Sequence, residues 1–144
     1  MTEQESFMQF HLGRLIDHVH LRVSDLDASR RFYRAVLKAI GRDFTSESPR
    51  HFSSDELWVD QADGPVSRVH LAFQARDKET VQAFHAAALA HGGRDNGGPG
   101  ERSYHPGYYA AFALDPDGNN IEAVFHGPTE RSAESISIRP EGGT

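Results

Sequence analysis

Cysteine is absent from the 144 residues. Neither a disulfide framework nor thiolate chemistry is therefore open to the chain, and any metal must be held by imidazole and carboxylate. Long hydrophobic runs are missing as well, since no stretch approaches the roughly 18 apolar residues that a membrane span needs. Basic charge is scarce: 15 Lys and Arg stand against 21 Asp and Glu, for a net charge of -6. That removes the electrostatic footprint of a nucleic-acid binder. The opening MTEQESFMQFHL is acidic and polar, unlike a secretory h-region, and a cytoplasmic location is expected. The glycines of 95–107 form no phosphate cradle, because no GxxxxGK[ST] follows a strand there. Histidine, by contrast, occurs nine times, and that excess raises the question of a metal.

The chain carries an internal echo. Shifted by 52 residues without a gap, His18 falls on His70, Asp25 on Asp77, Phe32 on Phe84, Ala35 on Ala87, Leu37 on Leu89 and Gly41 on Gly93. Each copy opens on an alternating stretch. In the first, Val19, Leu21 and Val23 point one way and His18, His20 and Arg22 the other; in the second, Val69, Leu71 and Phe73 alternate with His70, Ala72 and Gln74. Period-2 alternation marks a strand with one face on a core. A capping aspartate follows each, Asp25 and Asp77. Helical spacing of Phe32, Tyr33, Val36, Leu37 and Ile40 then predicts a helix from Ala28 to Ile40, and an alanine-rich helix is expected over Lys78–Ala90. Residues 42–60 read as two or three short strands, the clearest at Glu56–Asp60. In the second copy, strands are expected at Tyr108–Leu114 and Ile121–His126, joined by the turn Asp115-Pro116-Asp117-Gly118.

Each copy is thus strand, helix and about three strands. The expected fold is α+β: two βαβββ modules forming a cupped mixed sheet with the helices on its outer face. The module boundaries are placed at 14–62 and 66–126 within one domain of 14–126, with an N-terminal extension over 1–13 and a flexible tail over 127–144. Because the helices must cover the face bearing Val19, Leu21, Leu71 and Phe73, the histidine face is left to line the cup. His18, His70 and Glu122 all lie opposite the apolar set of their strands. Two imidazoles and a carboxylate can bind Fe(II), Mn(II), Ni(II) or Zn(II) with positions left for water and substrate. Imidazole ligates only when neutral, so metal affinity is expected to fall below about pH 6.

Two stretches carry a family resemblance: Asp17-His18-Val19-His20-Leu21-Arg22-Val23-Ser24-Asp25-Leu26 followed by Ser29 and Phe32-Tyr33, and Leu114-Asp115-Pro116-Asp117-Gly118-Asn119-Asn120-Ile121-Glu122. Over residues 16–126 the chain resembles the vicinal oxygen chelate superfamily, which includes glyoxalase I, bleomycin-resistance proteins, extradiol dioxygenases and fosfomycin-resistance thiol transferases. The resemblance implies paired βαβββ modules cupped around one divalent metal, with His18, His70 and Glu122 as ligands. It also implies a homodimer with sites at the interface and inner-sphere capture of vicinal oxygens on a small substrate. Where glyoxalase I takes a further ligand from the last strand of the first module, this chain offers Trp58, as the fosfomycin-resistance enzymes do; the basic cluster those enzymes use has no counterpart. The expected function is a metal-dependent lyase, isomerase or transferase. The alternatives are a metal-independent sequestering protein of the bleomycin-resistance type and an Fe(II) extradiol-type dioxygenase.

Other residues take supporting parts. His20 shares the face of His18 and could be a general base, with Glu122 the second catalytic candidate. Trp58, Asp60, Tyr108 and Phe112 are placed at the substrate, and His105 in a long second-module loop that could act as a lid. His126 lies about 13 Å along the strand from Glu122, too far for the same metal. His51, His85 and His91 read as surface residues.

Overall fold

The internal echo takes shape as two units of like build. The computed structural model describes residues 10–12 and 15–142. In the first unit β2 (Val19–Val23) leads through Asp25 into α1 (Leu26–Ala39), followed by β3 (Ser46–Ser48), β4 (His51–Ser54) and β5 (Leu57–Gln61). In the second, β6 (His70–Gln74) leads through Asp77 into α2 (Lys78–Ala90). Then come the short β7 (Arg94–Asp95) and β8 (Gly100–Glu101), and the longer β9 (Tyr109–Leu114) and β10 (Asn120–Phe125). The two caps do the same work: Asp25 accepts from the Ala28 N–H at 3.1 Å and Asp77 from the Thr80 N–H at 2.8 Å.

Mixed sheets result, as the fold class requires. The first has order β2-β5-β4-β3 and the second β6-β10-β9-β7, with β8 also on β9. In each, the strand before the helix pairs in parallel with the last strand, setting His20 beside Trp58 and Ala72 beside Glu122. All other pairings in these sheets are antiparallel.

One core runs through both units. Leu21, Val23, Phe32, Tyr33, Val36, Phe52 and Val59 of the first unit join Val81, Phe84, Ala111, Ala113, Ile121 and Ala123 of the second, and α1 packs on α2. Burying each phenylalanine contributes about 1.5–3 kcal/mol, so the aligned pair Phe32 and Phe84, both fully buried, anchors the two units symmetrically. The polar face of each sheet looks away from this shared core.

The echo hides two different reasons for glycine. Gly41, at φ +82°, follows the cap of α1, where only glycine adopts a left-handed backbone freely. Because α2 ends one residue earlier in the repeat, the matching role falls to Gly92 at φ +96°. Gly93, which aligns with Gly41, is glycine for lack of room: a Cβ there would stand 2.6 Å from Cε1 of Phe32.

Two strands fall outside the repeat. β1 (Phe10–Leu12) pairs antiparallel with β11 (Ile136–Ile138), so a ribbon links the N-terminal extension to the segment expected as a tail. The rest of the 1–13 extension lies outside the described residues. Among the described residues no helix is long and apolar enough to cross a membrane.

Candidate functional site

Pleating places the chemistry. In β10, Ile121 and Ala123 turn into the core and Glu122 to the opposite face, where it is nevertheless 1 % exposed. Burial of a carboxylate without partners is costly, and Glu122 has partners on both oxygens. The ring of His70, at the start of β6, meets Oε1 through Nε2 at 2.8 Å, and the Tyr108 hydroxyl donates a short hydrogen bond to Oε2. Phe112, directly opposite Glu122 on β9, sets its ring 6.0 Å from that of His70. Burial, then the hydrogen bond to Glu122, pushes the Tyr108 phenol up to about 12, so it stays a proton donor at neutral pH.

The preceding loop closes on this group. His105 and His126 stack with ring centroids 5.0 Å apart and share a 2.8 Å hydrogen bond, and each meets the Tyr108 ring edge-on. Because His105 Nδ1 lies 2.8 Å from the Pro106 carbonyl, which only accepts, its proton sits there and His126 Nδ1 donates to His105 Nε2.

The first sheet carries a second constellation. His20 on β2 and Asp60 on β5 meet at 2.8 Å, and the Trp58 indole N–H donates to the other Asp60 oxygen at 3.3 Å. Burial raises the Asp60 pKa, but hydrogen bonds from His20 and Trp58 with the charges of His20 and Arg22 outweigh it, and the carboxyl lies below its ordinary value. An ionised Asp60 only accepts, so His20 carries its proton on Nε2 and Nδ1 is its accepting position. His18, beside Asp17 at 2.8 Å, is largely exposed.

The candidate residues therefore gather in two places. His70, Glu122, Tyr108 and Phe112 come together on the second sheet with His105 behind Tyr108. His20, Trp58 and Asp60 come together on the first. His18 joins neither group, and among the described residues no group of three His, Asp or Glu side chains is placed to hold a metal. His70 and Glu122 suit a divalent ion in donor type and orientation, but they make up only part of a ligand set.

His51, which the residue pattern marks as a surface residue, belongs here. His51 stacks on Trp58 with centroids 4.1 Å apart and planes 10° from parallel, and both its nitrogens are bonded, to Ser46 at 2.9 Å and Ser48 at 2.7 Å. The signal was available: Phe52 is buried, so alternation turns His51 to the polar face. What no residue pattern disclosed was the register that sets His51 opposite Asp60.

Two mixed sheets built from βαβββ units and backed by two helices define the architecture. A model of the Glyoxalase/Bleomycin resistance protein/Dioxygenase superfamily matches residues 15–123, and the chain belongs to that superfamily. It is 33% identical over 130 residues to the uncharacterized protein YqjT of Bacillus subtilis (strain 168), covering 74% of this chain and 95% of that protein. Among solved structures, a glyoxalase/bleomycin resistance protein from Albidiferax ferrireducens T118 is similar with a TM-score of 0.67 and 30% identity, over 77% of this chain and 98% of that one. A lactoylglutathione lyase from Agrobacterium tumefaciens shares the fold with a TM-score of 0.58 at 24% identity, over 78% of this chain and 94% of that one.

Proposed function

We propose that this protein is a divalent-metal-dependent enzyme acting on a small oxygenated substrate, of the lyase, isomerase or transferase type. Its site is assembled between two copies of the chain. The observation that carries this is Glu122: a carboxylate almost wholly buried on the face away from the core, held by His70 and Tyr108. Superfamily membership supports the same reading.

A second copy would supply what one chain lacks. β2 and β6 are both end strands, paired on one side only by a strand of their sheets. Ser67 already bonds both backbone groups of Arg22 on the outer side of β2, which sets the join at the His18–His20 end. Strand edges invite pairing, and joining β2 of one copy to β6 of another there would carry His18 and His20 toward the partner copy's His70 and Glu122. Leu15 and Ile16, just before β2, are 90% and 49% exposed, an apolar surface that such a join would cover. An ion held by His18, His70 and Glu122 would act as a Lewis acid on adjacent substrate oxygens. Tyr108 would fix the Glu122 carboxylate, Phe112 would wall the site, and His20, brought there by the partner copy, would take a proton from the substrate at Nδ1.

Sedimentation is expected to show a dimer, and purified protein to take up one Mn, Ni, Zn or Fe ion per chain. A monomer that takes up none of them contradicts the reading and leaves the sequestering alternative.

A further inference from the structure

We propose that Trp58, backed by His51, is a stacking platform, and that the substrate of this site carries a planar conjugated ring beside its oxygens. The inference deepens the reading above and rests on it in taking the polar sheet face for a small-molecule site.

One exposed side chain on this face is held firmly. Trp58, the one tryptophan of the chain, is 40% exposed. Its indole N–H is tied to Asp60, which is itself tied to His20, and one face of its ring is covered by His51. His51 is in turn held at both ring nitrogens by Ser46 and Ser48, and Ser46 is braced by Ser53 at 2.6 Å. With both nitrogens taken up by serine hydroxyls, His51 has no ring nitrogen left for a substrate or a metal in this arrangement. What it offers is its π face, and it offers that to Trp58.

Six polar side chains on four strands thus fix one indole that the core does not need. Among the described residues no other ring stacks on it. Ordering a surface aromatic costs rotamer freedom, and here that cost is met within the fold, so a ligand arriving on the open face need not meet it again. A flat, rigid π surface discriminates by shape: a planar ring matches it over its whole area and a puckered one does not. Asp60, His20 and Arg22 border the same face and give the ring's polar substituents something to address.

The test compares benzoate with cyclohexanecarboxylate, which share size and charge but differ in planarity and conjugation. Because Trp58 is the lone tryptophan, its emission reports contact directly. In the full-length protein benzoate is expected to quench that emission saturably and to bind about three- to tenfold tighter. His51→Ala and Trp58→Phe should each narrow the preference, and Trp58→Leu should erase it when followed by calorimetry. Equal affinities, a preference that survives Trp58→Leu, or blue-shifted emission untouched by benzoate because a second copy covers the indole would each overturn the proposal. Mn(II) titrated in parallel separates the two claims. Metal uptake without ring preference removes the platform and leaves the metal reading; ring preference without metal uptake does the reverse.

Discussion

Glu122→Gln is expected to lower affinity for divalent metal by about a hundredfold or more while leaving the fold in place. Glutamine keeps the size and one carbonyl oxygen of the buried side chain but loses the charge that a hard or borderline cation requires. The stability change should stay within about 1–3 kcal/mol. Of the two partners on the carboxylate, the hydroxyl of Tyr108 can still donate, and the ring of His70 can accept from the new amide by changing tautomer. Glu122→Ala is the harsher change, since it leaves the Tyr108 hydroxyl without its acceptor. Calorimetric titration of each variant with Mn(II) measures the effect. Affinity within a few-fold of the parent protein would remove Glu122 from the metal site and, with it, the reading built on its burial.

The second large effect is structural. Asp115→Ala is expected to destabilise the protein by about 3–5 kcal/mol, read as a shift of the urea midpoint at unchanged slope. Asp115 is 2% exposed and accepts from the Tyr33 hydroxyl at 2.6 Å, from the Asn119 and Asp117 N–H groups at 2.8 and 2.9 Å, and from the Asn119 amide at 3.1 Å. Truncation orphans the Tyr33 and Asn119 donors in the core and the Asp117 N–H at its margin. The Tyr33 bond crosses between modules, joining α1 of the first to the turn before β10 of the second, and Ser24 repeats the link by donating to Asp117. Burial and the neighbouring Asp115 charge hold the Tyr33 phenol well above its ordinary pKa. A raised folded-state value means that this contribution is complete below about pH 10 and is lost as pH climbs through the folded value. Tyr33→Phe, which removes one donor and orphans only one acceptor site, should cost less, about 1–3 kcal/mol. A shift below 1 kcal/mol for Asp115→Ala would show that the turn is held by its backbone alone.

Much of this arrangement was legible in the residues because local rules and tertiary packing agree. Both capping aspartates, both helices and the polar faces of β2, β6 and β10 follow from alternation and helical period. The repeat brings Phe32 and Phe84 to equivalent core positions. What stayed hidden depends on pairing register. Residues 46–54 are mostly polar, and nothing local sets Ser48 opposite His51 or His51 opposite Asp60, so the Trp58 platform emerges only once β3, β4 and β5 are aligned. The ribbon of β1 and β11 escaped for a related reason: it joins segments more than a hundred residues apart, each too short to declare itself a strand. His18 illustrates the remaining gap. It stands just before β2, and one chain does not bring it to Glu122. Alternation specifies a face of a strand, and the proposed second copy lies beyond what the residue pattern of one chain can specify.

Mixing variants tests the proposed sharing of a site between two copies most directly. His18→Ala and Glu122→Gln protomers each lack a ligand and should bind little metal alone. If sites are shared, a mixed dimer has one site missing both ligands and one with all of them. After exchange of equal amounts, about a quarter of the sites should bind Mn(II) again, since about half the dimers are mixed and each has one intact site of two. Recovery near that level is the expected result; no recovery, from protomers shown to exchange, would contradict a site built between two copies.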